Sequence, residues 1–288
     1  MVSIIDAFKD FKEGFENNLE ISTEEKIKLW EKIYNDKYPL LIKKCKEDYI
    51  NDGYEWENIA KTMVFNKTKE NFPKMIEAYE NIKIAIDKIN YKVERLFNQK
   101  LDINIIIYAG LCNSAGWVDE YDNKKAILYG IDKIVELNWH KMSKIDSLVA
   151  HELSHVIHFA IREENNIIDD YEEMYDYGIW RLYVEGFAQF IQNKLIGKEK
   201  DPRGIEWINK CRKNIKKLKE LYLKALDDKE KGTKDFFGDW YKVLDISDVG
   251  YYLGQDFIEN LNEKYDIYEI VLFELKDVKK ELLRYLNT

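Results

Sequence analysis

The chain is poor in the residues that break or cross-link a fold: 288 residues hold only 3 prolines and 3 cysteines. So little proline excludes a proline-rich linker or a collagen-like repeat. Cys45, Cys112 and Cys211 lie far apart with no C-x-x-C spacing. That excludes a disulfide scaffold, argues against a thiolate metal site, and fits reduced thiols in a cytoplasm. The longest apolar run, Ile103 to Cys112, is interrupted by Asn104 and is too short to span a bilayer. The start, Met1-Val2-Ser3-Ile4-Ile5-Asp6, has no basic segment leading into an apolar one, so no secretory signal is expected and the expected location is cytoplasmic. Positive charge is also in deficit, with 45 Lys and Arg against 54 Asp and Glu. A net charge of −9 argues against a broad cationic footprint for nucleic acid. There is no internal repeat and no low-complexity tract.

What is present describes a folded, helix-rich protein: 45% apolar and 34% charged residues are enough for a core and a solvated surface. Residues 1 to 99 read as a helical N-terminal region. Ser22-Thr23-Glu24-Glu25 has capping-box spacing ahead of an amphipathic pattern at Ile27, Leu29, Trp30 and Ile33. Pro39 and the Asn51-Asp52-Gly53 turn break this region before a periodic stretch from Phe72 to Phe97. The period then changes to β-type over Ile103 to Tyr108 and again over Ala126 to Ile131. Helical periodicity returns at Ser143 and continues to the end, with breaks near Gly197 to Gly204 and Gly232 to Gly238. The expected fold class is therefore α+β and mostly helical. Its small sheet lies in a second domain, 100 to 288, that ends in helices.

All four histidines, His140, His151, His155 and His158, fall within 19 residues. Three sit in Asp146-Ser147-Leu148-Val149-Ala150-His151-Glu152-Leu153-Ser154-His155-Val156-Ile157-His158, an H-E-x-x-H motif inside a helical pattern. Ser143 is the expected N-cap, with Asp146 completing a capping box. A helix turns about 100° per residue, which puts His151 and His155 about 40° apart on one face, where two imidazoles reach one ion. Glu152 points instead into the arc of Ile145, Leu148, Val149, Leu153, Val156, Phe159 and Ala160. A buried carboxylate needs a partner, and a cation or a cation-held water supplies one. An ordinary amphipathic helix with two boundary histidines would leave Glu152 unexplained. His158, two turns from His151 on the polar edge, is expected to be solvent-facing or to support a ligand. Nothing in the pattern supports His140.

A hydrolytic zinc site needs a third protein ligand and one open position. Trp180 to Phe190 is apolar almost all the way round, apart from a narrow stripe of Gly178, Arg181, Glu185 and Gln189. Such a stripe faces something polar inside the protein, and Glu185 is the candidate ligand. Glu172 and Glu173 are rivals, and an exposed i,i+4 pair of Arg181 with Glu185 is the plain alternative.

Leu148 to Val156 followed by Glu185-Gly186-Phe187-Ala188 resembles the gluzincin metallopeptidases, whose third ligand is a glutamate on a second helix. Gly250-Tyr251-Tyr252-Leu253-Gly254-Gln255-Asp256-Phe257-Ile258 is similar to the Y-x-x-G-x-x-F/V helix of peptidase-MA-like and predicted zinc-dependent protease families. The resemblance covers about residues 100 to 265. It implies a zincin-like fold with a small sheet packed on the motif helix, and Glu185 as third ligand. The chain departs from better-known relatives. It has no G-A-M-E-N segment and no N-E-x-x-S-D at thermolysin-like spacing, and His158 follows His155 by three residues where metzincins need six.

The expected function is a zinc-dependent peptidase acting on a peptide or protein substrate. One Zn²⁺ per chain would be held by His151, His155 and Glu185, with Glu152 as general base and Tyr251 as oxyanion donor. Tyr251 lies at the margin of the buried face of its helix, whereas Tyr252 lies with Asp256 and Glu259 and is expected to be silent. Gly250 and Gly254 would let that helix approach a neighbour closely. Asn113 to Val118 would line the cleft, with a plain hairpin loop as the alternative. The alternative readings are a zincin-fold module that only binds peptides or proteins, and a structural zinc site.

Overall fold

The computed structural model describes residues 2–168, 171–197 and 201–288. By its contacts the chain divides into two compact units, Met1–Tyr91 with Lys100–Glu152, and Lys92–Gln99 with Leu153–Thr288. The fold is α+β and mostly helical, with one small sheet.

The first unit opens with a strand, β1 (Ser3–Asp6), and Asp6 then caps α1 (Ala7–Phe15) by accepting from Lys9 N at 3.0 Å. Phe8, Phe11 and Phe15 bury one face of α1, and the Phe11 and Phe15 rings stack at 4.1 Å. The capping box at α2 (Thr23–Lys37) forms as its spacing predicts, Ser22 N donating to Glu25 Oε2 and Glu25 N to Ser22 Oγ. Pro39 stands at the first position of α3 (Pro39–Asn51), where its missing N–H costs nothing, and Gly53 turns the chain out at φ +80°. A short α4 (Trp56–Ile59) passes through a π turn (Ala60–Val64) and a 3₁₀ turn (Phe65–Lys67) into α5 (Thr68–Phe97).

The sheet has the order β1-β2-β4-β3, with β2 (Asn104–Tyr108), β3 (Trp117–Tyr121) and β4 (Lys124–Gly130). β1 and β4 run parallel to β2, pairing Ile4 with Ile105 and Ile105 with Ile127. β2 is buried from Ile105 to Tyr108, which is why it reads as an unbroken apolar run. β3 returns antiparallel to β4 through Asp122 and Asn123, both at positive φ, the geometry of a tight hairpin turn. Two of the four strands, β1 and β3, lie where the sequence reads as helix and as loop. β1 has four residues, too few to show a period, and β3 carries the mixed sequence Trp-Val-Asp-Glu-Tyr of an edge strand.

Beyond β2 the chain is held by side chains of α2 and α6 (Ile131–Glu136). Trp30 Nε1 donates to Ala109 O at 3.0 Å, and Tyr34 Oη accepts from Ala109 N at 3.0 Å. The buried Asp132 carboxylate accepts from Gly110 N at 3.1 Å and Cys112 N at 2.6 Å. Burial raises the Asp132 carboxyl while those two N–H groups pull it back down. The first part of α7 (Met142–Glu164) completes this unit.

The second unit takes the end of α5, the rest of α7, and α8 (Met174–Ile196), α9 (Ile205–Lys213), α10 (Ile215–Leu226), α11 (Val249–Asn262), α12 (Ile267–Val271) and α13 (Leu275–Leu286). α8 is buried nearly all round from Gly178 to Ile196, as its composition predicts. The break expected near residues 197 to 204 falls partly on 198–200, outside the described residues; Gly197 ends α8 at φ +101° and Gly204 precedes α9 at φ +92°. Among the described residues no helix is long and apolar enough to cross a membrane.

Candidate metal centre

α7 carries the motif and starts earlier than its sequence suggests. Lys141 O accepts from Lys144 N and Ile145 N, so Ser143 lies inside the first turn and does not cap the helix. Asp146 completes no capping box; its carboxylate takes Lys88 Nζ at 2.6 Å.

One turn of α7 separates His151 from His155, and α8 brings Glu185 to them. One ligand atom from each of His151, His155 and Glu185 lies within 4.8 Å of the others. His155 Nε2 stands 3.3 Å from Glu185 Oε2. Two ligands each about 2.0–2.1 Å from a tetrahedral ion are about 3.3 Å apart, so this pair is already at ligand spacing. Two imidazoles and one carboxylate, with a side left open, are the donor set of catalytic rather than structural zinc. The residues therefore fit the metal.

The rivals do not join this cluster. Glu172 and Glu173 are exposed ahead of α8, and Glu173 is its N-cap residue. Arg181, expected in the alternative reading to pair with Glu185, makes no ion pair among the described residues; its guanidinium lies 4.3 Å over the Phe237 ring.

Glu152 is 5% exposed, on the buried side of α7 as its helical position predicts. The chain approaches it closely at Gly116, just before β3: a β-carbon there would lie 2.8 Å from Glu152 Cγ and 2.9 Å from Oε1. The Tyr129 phenol on β4 is fully buried, with no hydrogen-bond partner among the described residues. Burial first, and then the Glu152 charge, push its pKa well up. Neither Gly116 nor Tyr129 was singled out from the sequence. Within the stretch 113–118, Gly116 meets Glu152, and Trp117 and Val118 begin the edge strand β3.

His158 is not solvent-facing. It is fully buried, stacked on Phe187 at 4.4 Å with Nε2 3.2 Å from Tyr183 Oη, because α8 covers that edge of α7. Burial, Arg162 and His155 hold its pKa well below the usual imidazole value. His140 lies apart from the cluster, its Nε2 4.0 Å from Glu77 Oε2.

On α11, Tyr251 meets the Phe237 ring edge-on at 5.5 Å, and the Arg203 guanidinium lies 4.6 Å over it. Arg203 is itself held by Asp201 and donates to Gln189 Oε1, one turn along α8 from Glu185. Burial and then the Glu185 and Asp248 charges raise the Tyr251 phenol well above its ordinary value. Tyr252 does not share an exposed face with Asp256 and Glu259: it is 8% exposed, edge-on to Trp207 of α9 at 6.0 Å. The other expectation for α11 stands, since Gly254 meets the backbone of Leu182 and Gly186.

Among curated proteins and among solved structures nothing matches the chain. A family model does match, from residue 10 to residue 267, and the span takes in the motif helix, α8 and all of α11. The chain belongs to that family, DUF5700, which is described as "Putative zinc dependent peptidase".

Proposed function

We propose that this protein is a gluzincin-type zinc peptidase with one zinc per chain, held by His151, His155 and Glu185. When bound, the ion supplies Lewis acidity, lowering the pKa of a water and polarising the peptide carbonyl. Glu152 accepts the proton of the attacking water and delivers it to the leaving amine. Its burial and the close backbone at Gly116 hold that carboxylate to a narrow range of positions, which suits a base that acts on one water. Tyr251 donates its hydroxyl hydrogen to the oxyanion of the tetrahedral intermediate. Its high pKa keeps the phenol protonated and able to donate. β3 has β4 as its only strand neighbour among the described residues, so its outer edge is available to pair with an extended peptide.

The observation that carries this reading is the convergence of two helices on one point, with His155 Nε2 and Glu185 Oε2 at 3.3 Å and Glu152 beside them in sequence. Metal analysis of the purified protein, with a mixed peptide library digested in the presence and absence of a chelator, tests it. About one zinc per chain and chelator-sensitive cleavage are the expected results. A zinc-loaded protein that cuts no peptide ends the enzymatic part of the proposal.

A further inference from the structure

Glu185 of the cluster lines a cavity of about 270 Å³. Four aromatic rings, Phe159, Tyr171, Tyr177 and Trp180, line it, and among the described residues its only charged ones are Arg181 and Glu185. Phe159 is also the ring that lies parallel to His155, at 6.2 Å, so the cavity is walled by Glu185 itself and by a ring that neighbours His155. The sequence showed Arg181 as a member of the polar stripe, one turn before Glu185, and as its candidate i,i+4 partner.

Glu185 is turned to His155, which leaves Arg181 without that carboxylate. Among the described residues no other carboxylate pairs with it. A half-buried guanidinium stacked on an aromatic ring keeps its N–H edge free for hydrogen bonds, and partial desolvation strengthens its pull on an anion. A permanent charge held this way in an aromatic-walled cavity is a built anion anchor. Four helical residues rise about 6 Å, and an extended peptide advances about 3.3–3.6 Å per residue. An anion on Arg181 therefore sits one or two peptide residues from Glu185.

We propose that Arg181 binds a carboxylate of the substrate, one or two residues from the bond that is cut, while the neighbouring side chain packs against Trp180, Tyr177 and Phe159. This rests on the zinc-peptidase reading and adds a substrate class to it: peptides with an acidic group beside the scissile bond. The carboxylate is either the chain terminus or an Asp or Glu side chain, and both present the same fork to the guanidinium.

The test is calorimetric binding to the purified protein, wild type and Arg181→Met and Arg181→Lys, with two ligand pairs. Acetyl-Gly-Phe as acid and as amide probes the chain terminus, and acetyl-Gly-Glu-amide against acetyl-Gly-Gln-amide probes the side chain. The wild type should prefer the acid of at least one pair by about tenfold or more. Arg181→Met should abolish that preference and Arg181→Lys should keep part of it. A carboxylate held by the metal instead would survive Arg181→Met. Survival of the preference, equal binding of acids and amides by the wild type, or no binding of any of the four would overturn the assignment. The two readings fail separately. An active peptidase indifferent to carboxylates loses only the Arg181 site, whereas an Arg181-dependent preference in a protein that cuts nothing loses only the peptidase.

Discussion

Gly186 on α8 and Gly254 on α11 touch backbone to backbone: a β-carbon on Gly186 would lie 2.3 Å from the Gly254 carbonyl. On Gly254 it would lie 2.5 Å from Leu182 O and 2.8 Å from Gly186 Cα. The groups in the way are backbone and cannot swing aside. Glu185 adjoins this contact, and Tyr251 lies three residues before Gly254 on α11. The same approach that packs the two helices also sets Glu185 and Tyr251 in register.

Gly186→Ala and Gly254→Ala should therefore each cost about 3 kcal/mol or more, at the upper end of overpacking, and loosen zinc as well. Chemical denaturation gives the stability and a zinc chelator competition gives the affinity. Gly53→Ala is the comparison: it strains a positive φ of +80° but meets nothing within 4 Å, so about 1 kcal/mol is expected. Equal losses at Gly53 and Gly186 would mean that the glycine contact is not what matters.

Glu152→Gln keeps the size of the side chain and removes the base. Zinc content should stay near wild type while kcat falls on the order of 10²–10⁴-fold. An active Glu152→Gln enzyme would dismiss Glu152 as general base.

Gly116→Ala tests the same carboxylate from the backbone side. The new methyl group would sit 2.8 Å from Glu152 Cγ, so Glu152 has to shift by a few tenths of an ångström or more. A displaced base should cost on the order of 10²-fold in kcat, with zinc content preserved. Zinc loss in this variant would place its effect on the ligands and not on the base.

Glu185→Ala should weaken zinc more than about 100-fold, the upper range for losing even an outer-shell partner. Glu172→Ala and Glu173→Ala, both exposed, should leave affinity unchanged. Removing zinc should also lower the melting temperature, since an ion that binds only the folded chain adds to its stability. A melting temperature indifferent to chelator would argue that the ion does not tie α7 to α8.

Tyr251→Phe should keep fold and zinc and lose on the order of 10²-fold in turnover. Tyr252→Phe removes the hydroxyl of a buried phenol that packs edge-on to Trp207, and should show no comparable loss of rate. If Tyr251→Phe turns over at the wild-type rate, the oxyanion is held by another group.

The contacts that were legible in the sequence are those that repeat at helical spacing. His151, Glu152 and His155 lie within one and a quarter turns of α7, so the geometry of a single helix orients them. Glu185 showed as a charge in an otherwise apolar helix, and Ser22 with Glu25 showed as a cap, because each signal is complete within a few residues. Where a second element covers a residue, the same helical reading failed. His158 and Tyr252 lie on edges that read as polar, and Tyr183, Phe187 and Trp207 from other helices bury them.

By itself the sequence determined the helical character of the chain, the pair of motif histidines with their glutamate, and the glutamate of the second helix. Those depend on backbone period and side-chain polarity, which are local. Tertiary structure decided that β1 pairs with β2 about a hundred residues away, that Gly116 abuts Glu152, and that Glu185 turns to His155 and leaves Arg181 over Phe237. Each of those is a packing distance between segments remote in sequence. Such distances follow from how whole elements fill space against one another, and no window of a few residues carries them.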